Sequence, residues 1–203
     1  MTQEITGDEA VPIRVLCLGG STRADSSSEK ALRAAAASVV EAGAEVEVLA
    51  GPELVLPIYA PENPERTENA EALVAALRRC DGVILSSPGY HGTLSGLMKN
   101  VLDYVEDLRA DDRPYLDGLP VGCIAVAYGW QATVTTLQSL RQTVHALRGW
   151  PTPLGAAVNA SGPVFDTDGQ CVDGAARMQL ETVARQVVEF ARAWHGAGAL
   201  QPR

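Results

Sequence analysis

Two hydrophobic patterns alternate from one end of the chain to the other. Short apolar runs at Ile13 to Leu18, Glu45 to Ala50, Gly82 to Ser86, Val121 to Ala127 and Leu154 to Val158 have the length of strands. After them, apolar residues recur at helical spacing. Leu94, Leu97, Met98, Val101, Leu102 and Val105 fall at i, i+3, i+4, i+7, i+8 and i+11 and form one stripe. Similar stripes run through Leu32, Ala36 and Val39; Leu73, Val74 and Leu77; Val134, Leu137, Leu140 and Val144; and Leu180, Val183, Val187, Ala191 and Trp194. This alternation predicts an α/β protein in which a five-stranded parallel sheet is covered by helices on both faces. Glu45-Val46-Glu47-Val48 alternates polar and apolar where the other runs are uniformly apolar, so the second strand belongs at a sheet edge. That placement suits the strand order 2-1-3-4-5.

The pattern breaks at Gly51-Pro52, Pro61 to Pro64, Asp111 to Pro114 and Gly162 to Gly174, each the length of a loop and not of an interdomain linker. With no internal repeat, the 203 residues read as a single domain. Met1 to Val11 is acidic and polar, lacks the basic segment and apolar run of a signal peptide, and reads as a loose tail. A composition that is 46% hydrophobic and 20% charged excludes a disordered chain, and no apolar run approaches the length of a membrane span. The net charge of −9 repels nucleic-acid backbones and anionic membranes on average, so neither is an expected partner. Cys17, Cys80, Cys123 and Cys171 are too far apart for a close-spaced zinc or redox pair and read as reduced thiols of a cytoplasmic protein.

In a sheet of this order the carboxyl ends of all strands open on one side, and ligands bind where the winding reverses, between strands one and three. The loop after the first strand, Gly19-Gly20-Ser21-Thr22-Arg23-Ala24-Asp25-Ser26-Ser27-Ser28, sets hydroxyls and one guanidinium directly before a helix. Unpaired N–H groups and the helix dipole favour an anion there, and the side chains add charge-assisted hydrogen bonds, which suits a phosphate. Ser26 and Glu29 also have the spacing of an ordinary S-x-x-E capping box. Neither GxGxxG after the first strand nor GxxxxGK[ST] is present.

The third loop, Ser86-Ser87-Pro88-Gly89-Tyr90-His91-Gly92-Thr93, faces the same crevice and offers the flat face of Tyr90. The fourth, Tyr128-Gly129-Trp130-Gln131, either edges a planar ring or sends Trp130 into the core. His91, His145 and His195 stand in no metal-ligand pattern. Ser95, in Gly92-Thr93-Leu94-Ser95-Gly96, misses the GxSxG elbow, so a Ser-His-acid hydrolase is not expected.

Gly20-Ser21-Thr22-Arg23, with Ser26 and Ser28 following, resembles the GSxRxxSxN phosphate loop of the flavodoxin-like NADPH-dependent FMN reductases, with Ser28 in place of the usual Asn. Pro88-Gly89-Tyr90-His91-Gly92, continuing through Gly96-Leu97-Met98-Lys99-Asn100-Val101-Leu102-Asp103-Tyr104, is similar to that family's PEYNGSxPGxLKNAIDW segment. Leu56-Pro57-Ile58-Tyr59 resembles its Leu-Pro-aromatic loop, and the likeness runs in order over roughly residues 13 to 160. There are departures. Gly89 and His91 stand where Glu and Asn are common, Ser95 replaces Pro, and Gly129-Trp130-Gln131-Ala132 replaces a Gly-rich turn.

The resemblance implies a flavodoxin-like three-layer sandwich that binds FMN. Ser21, Arg23, Ser26 and Ser28 would hold the phosphate, and Pro88, Gly89, Tyr90, His91, Gly92 and Thr93 would line the isoalloxazine together with the loop of Gly129. NADPH or NADH would deliver hydride to flavin N5, and the electrons would pass on to a small-molecule acceptor: free flavin, a quinone, an azo dye or a metal oxyanion. The resemblance also implies a homodimer or homotetramer, with Tyr59, Tyr104 and Trp150 as aromatics beside loops. A flavin reductase is the first reading, and a quinone or azo reductase differs from it only in the acceptor. A flavodoxin-like electron carrier is a different class, against which Arg23 speaks, since carrier loops hold phosphate without a guanidinium. A binding module that has lost its flavin would account for the departures.

Overall fold

The uniformly apolar runs become the middle of a parallel sheet. In the computed structural model, which describes residues 12–196, strands β1 (Arg14–Gly19) and β5 (Pro120–Ala127) are buried almost throughout, and β3 (Gly82–Tyr90) is buried over its first six residues. The half-exposed β2 (Glu45–Leu49) forms the edge that its alternation predicts. β1 runs parallel to both β2 and β3, with Arg14 against Glu45 and Val15 against Gly82, and β3 runs parallel to β5 with Val83 against Val121. Met1 to Val11, the expected tail, lies outside the described residues.

Successive strand residues point to opposite faces and so feed two cores. Val15, Cys17, Ile84 and Ile124 pack with α1 (Ser27–Glu41) and α5 (Gly174–Gly196). Leu16, Leu18, Leu85 and Cys123 pack with α2 (Glu68–Arg79), α3 (Gly96–Asp103) and α4 (Trp130–Ala146). This is the three-layer architecture expected from the periodicity.

The sheet has more pieces than expected. Besides the four long strands, β4 (Thr93–Leu94), β6 (Trp150–Pro151) and β7 (Ala156–Asn159) bring the total among the described residues to seven, on the path β2-β1-β3-β5-β6. The fifth position of the predicted 2-1-3-4-5 order is thus divided. Pro151 and Pro153 carry no N–H, so pairing with β5 lapses after Thr152 N donates to Val121 O at 3.0 Å. Leu154 N turns instead to Gln186 Oε1 of α5 at 3.0 Å, and pairing resumes with Ala156 against Ile124. β3 outruns its predicted end at Ser86 and folds back on β4, an antiparallel extension of two residues.

The inner face of α4 also differs from its predicted stripe. Thr133, Thr136, Leu140 and Val144 are buried, whereas Val134 is 43% exposed and Trp130 is 61% exposed, so Trp130 does not enter the core. The α3 stripe continues past the helix through a 3-10 turn, Tyr104–Leu108, that keeps Val105 buried.

Cys17, Cys80 and Cys123 are buried and unpaired. Burial pushes the Cys17 and Cys123 thiols up to about 12 and the Cys80 thiol up to about 11, so all three stay protonated at neutral pH. Among the described residues no helix is long and apolar enough to cross a membrane, and no group of His, Cys, Asp and Glu is placed to hold a metal ion.

The close approach of α5 to the sheet depends on glycine. A Cβ at Gly122 would lie 2.5 Å from Val183 Cγ1 and 3.2 Å from Val187 Cγ2. Gly122→Ala should therefore push α5 outward and destabilise the fold by about 1–3 kcal/mol. Thermal melting checks this, and an unchanged midpoint would show that the helix shifts freely.

Candidate functional site

At the end of β1 the chain is pressed against β3. Gly20 N donates to Ser86 O at 2.7 Å, and a Cβ on Gly20 would sit 3.1 Å from Ser86 O, Ser87 Cα and Met98 Cβ. The loop then places buried Ser21, with its hydroxyl accepting from Arg23 N at 3.2 Å, and turns through Asp25 at φ 55°. Ser26 caps α1 by accepting from Glu29 N at 3.2 Å, and its hydroxyl is also paired with that of Ser28 at 3.1 Å. The capping box is only half made, because the Glu29 carboxylate turns to Arg33 Nη2 at 2.6 Å. Ser21, Ser26 and Ser28 are buried, while the Arg23 guanidinium is exposed and joins no ion pair among the described residues.

The third loop is a hairpin. His91 and Gly92 have φ of 52° and 88°, the two consecutive positive values of a type I′ turn, and they fold Thr93 back onto Tyr90. Histidine tolerates this region better than most residues, so His91 preserves the turn that Asn-Gly would make. Gly89 has a packing cause: a Cβ there would lie 2.6 Å from Thr136 Oγ1 and 3.1 Å from Ala127 Cβ. Thr136 donates to Thr93 O at 3.2 Å, so α4 braces the hairpin where a larger residue at position 89 would stand.

Ser95 is a cross-link and not a nucleophile. Its hydroxyl caps α3 by accepting from Met98 N at 3.1 Å and donates to Gly20 O at 2.6 Å, while Ser95 N donates to Ser87 Oγ at 3.0 Å. Ser86 Oγ adds a second tie by donating to Ser28 O at 2.7 Å.

The fourth loop turns on Gly129, at φ 114° and ψ 143°. Its N–H donates to Asn159 Oδ1 at 2.9 Å, and its carbonyl accepts from Thr133 N at 3.1 Å and Thr133 Oγ1 at 2.7 Å. With both polar groups engaged, Gly129 contributes shape and not a hydrogen bond. Ser26, Thr67, Ser95 and Asp173 cap the other four α-helices, so α4 alone among the described α-helices begins without a side-chain cap. Its first N–H groups are left open at the carboxyl end of β5.

These loops enclose a cavity of about 80 Å³ at the reversal between β1 and β3. Ser21, Arg23, Ser26 and Ser28 line one side, and Pro88, Gly89 and Tyr90 line another. His91, Gly92, Thr93 and Gly129 do not line it. They form the turn, the return strand and the bend that carry Tyr90 and Tyr128, which are 56% and 77% exposed and make the mouth of the cavity an open aromatic rim. Ser27, Val126, Ala127 and Ala160 also line it and were not anticipated. Ser27 was visible as a hydroxyl in the same loop, whereas Ala160 carries no local signal. A larger hollow of about 330 Å³ lies at the amino ends of β1 and β2, where Arg14 pairs with Glu45 and Arg79 with Glu47, and one of about 480 Å³ lies between the end of α2 and the loop of Ala110 to Arg113, where Arg78 pairs with Asp111.

The segment after β2 is tied to α3 and to the 3-10 turn that follows it. Asn100 accepts from Tyr59 N at 2.9 Å and donates to Pro57 O at 2.9 Å. Arg66 grips Asp107 with two bonds of 2.6 and 2.8 Å and lies over the rings of Tyr59 and Tyr104, whose hydroxyls bond Asp107 and Pro57. Hydrogen bonding from Arg66 holds the Asp107 carboxyl below its ordinary value, and burial raises that of the Tyr59 phenol. Two of the aromatics expected at an interface are therefore engaged inside the chain.

The sequence profile described as NADPH-dependent FMN reductase matches residues 13–162. An NAD(P)H-dependent FMN reductase of Pseudomonas aeruginosa is 28% identical over 177 residues, 83% of this chain and 90% of that one. An NADPH azoreductase of a Bacillus species is 32% identical over 90 residues, 44% of this chain and 47% of the azoreductase, so that match spans about half of the relative. A flavoenzyme NAD(P)H:(acceptor) oxidoreductase from Paracoccus denitrificans superposes with a TM-score of 0.70 at 18% identity, covering 89% of this chain and 98% of its own, which is a likeness of fold.

The Arg66–Asp107 pair yields a pH test. Because folding lowers the Asp107 value, the pair's stabilisation is present above the unfolded carboxylate value of about 4 and is lost as pH falls through the folded value. Arg66→Ala should lower the melting temperature at pH 7 and lose less than wild type on acidification from pH 5 to pH 2. Parallel acid profiles for the two proteins would remove Asp107 from the account.

Proposed function

The chain belongs to the NADPH-dependent FMN reductase family, and on that premise we propose that it is an FMN-dependent NAD(P)H oxidoreductase. It takes hydride from NADPH or NADH and passes electrons to a small-molecule acceptor, in the first place a flavin. The observation that carries this reading is the convergence, in one crevice, of three buried serines and an unmatched guanidinium with an open rim of two tyrosines.

The donor set fits FMN. The Ser21, Ser26 and Ser28 hydroxyls and the first N–H groups of α1 are the hydrogen-bonding equipment for a phosphate dianion, and Arg23 supplies the charge. Pro88, Gly89 and Tyr90, shaped by His91, Gly92 and Thr93, bound the ring side, and Gly129 sets the opposite edge. FMN, when bound, supplies the hydride-accepting centre and the store for two electrons. The open N–H groups at the start of α4 would favour negative charge on a group held at the carboxyl end of β5. With the hydride-accepting centre supplied by FMN, the protein's part is binding, orientation and electrostatics.

A quinone or azo acceptor is the second reading, favoured by the exposed faces of Tyr90 and Tyr128, which leave room for a planar partner. An electron carrier without its own hydride step is disfavoured by Arg23. The unpaired, protonated thiols support a reducing, cytoplasmic setting. Half-exposed Trp150, packed on Phe190 and Trp194, and exposed Ile58 support association into a homodimer or homotetramer. Sedimentation is expected to show that assembly, and a 21 kDa particle alone at micromolar concentration would contradict it.

Arg23 gives the direct test. Arg23→Ala should weaken FMN binding about tenfold to a hundredfold, the loss of one charge-assisted contact. Riboflavin, which lacks the phosphate, should bind both proteins alike, and far-UV dichroism should not change. Equal losses for the two flavins, or no loss for either, would remove Arg23 from the phosphate site.

A further inference from the structure

Asn159, the last residue of β7, holds the fourth loop in place from thirty residues away. Its carboxamide oxygen accepts from two backbone donors, Gly129 N at 2.9 Å and Ser161 N at 3.1 Å. One residue on, Ala160 N donates to Ala127 O at 2.9 Å, so the ends of β5 and β7 are laced together by a backbone bond and a side-chain bond. The laced residues border the crevice: Ala127, Tyr128 and Ala160 line it, and Gly129 joins them to α4.

Gly129 depends on this bond for its direction. At φ 114° and ψ 143°, with nothing within 4 Å of where a side chain would be, neither packing nor a side chain of its own restrains it. Its orientation is set by Asn159 on the amide side and by Thr133 on the carbonyl side. Because no side chain caps α4, that bend determines where the helix's first N–H groups and Tyr128 point.

We propose that Asn159 is a positioning residue for the flavin ring: by accepting from Gly129 N it fixes the Tyr128–Gly129 bend and the open end of α4 against the isoalloxazine side of the crevice. The inference rests on the flavin reading given above. It assigns to this chain a determinant of ring binding that does not touch the phosphate, and it therefore predicts a signature opposite to that of Arg23.

The experiment is a fluorescence titration of the apoprotein, prepared as the full chain, with FMN and with riboflavin, for wild type, Asn159→Ala and Asn159→Asp. Asn159→Ala should weaken both flavins by the same factor, about three- to tenfold, as expected for one lost hydrogen bond that orders a loop. Asn159→Asp, which keeps an oxygen able to accept from Gly129 N and Ser161 N, should restore most of the riboflavin affinity. A merely structural role would lower the melting temperature of Asn159→Ala while leaving both dissociation constants at the wild-type values, and that result overturns the proposal. A loss confined to FMN, or an Asp variant no better than Ala, overturns it as well. Wild-type protein that binds neither flavin overturns the flavin reading and this inference with it, whereas flavin binding by wild type that Asn159→Ala leaves unchanged overturns the inference alone.

Discussion

The site depends on the fastening of the first loop to the third at the centre of the sheet. Three hydrogen bonds do this, Gly20 N to Ser86 O, Ser95 Oγ to Gly20 O and Ser86 Oγ to Ser28 O, and a fourth, Ser95 N to Ser87 Oγ, ties the third loop to the cap of α3. Their serine side chains are buried, where an unmade hydrogen bond costs about 1–3 kcal/mol, so each group holds its partner in place. Ser28 belongs to the first turn of α1 and Ser95 is the cap of α3, so the same bonds set where two helices begin. A crevice between two independent loops would open and close. Here the loops share buried polar groups, and the serine cradle and the hairpin behave as one piece.

The ring side is built by a different device, the use of small or polar residues where a core helix ordinarily carries large apolar ones. Thr133 and Thr136 occupy the inner face at the start of α4 and are fully buried, each donating to a carbonyl, of Gly129 and Thr93 respectively. Thr136 also fills the space that a side chain at position 89 would need. The helix can therefore approach the hairpin closely enough to brace it, and its amino end stays uncapped because the residue in the capping position is a glycine chosen for its backbone angle. Glycine at 89, which departs from the pattern of related sequences, is thus matched by Thr136 and Ala127 in this chain, and Gly129 is held by its hydrogen bonds to Asn159 and Thr133.

What could be read from the sequence follows from the range of the interactions involved. Strand and helix periods are local properties, so the layered α/β fold, the edge position of β2 and the location of the crevice were all legible. The hydroxyl-rich loop with Arg23 was legible too, because it is contiguous. The split of the fifth strand position was hidden in Pro151 and Pro153, whose missing donors were not weighed against the need for pairing. The hairpin was hidden by His91, which is less familiar than Asn in a turn of positive φ. The inner face of α4 lies about one residue from the stripe of Val134 and Leu137, because Thr133 and Thr136 are buried there with each hydroxyl donating to a carbonyl. Asn159 and Ala160 carried no signal at all, because their role comes from a contact between two loops thirty residues apart.

The charge of the molecule bears on the site less than its total implies. At physiological ionic strength the screening length is about 8 Å, so a phosphate in the crevice responds to the groups around it and not to the net −9. What distinguishes Arg23 is the company kept by the other described arginines. Arg14, Arg33, Arg66, Arg78, Arg79, Arg109 and Arg185 are paired with carboxylates. Arg113, Arg141, Arg177 and Arg192 donate to backbone carbonyls, and Arg148 lies over the Tyr115 ring. Arg23 alone among them has no such partner for its guanidinium, and it stands at the rim of the cavity lined by the buried Ser21, Ser26 and Ser28. An exposed guanidinium that is already neutralised by a neighbour must break that pair to bind a phosphate, whereas one without a partner loses only water. The acidic surface elsewhere then works in favour of selectivity, since anions gain little from the rest of the molecule and bind where a local cation and oriented donors coincide.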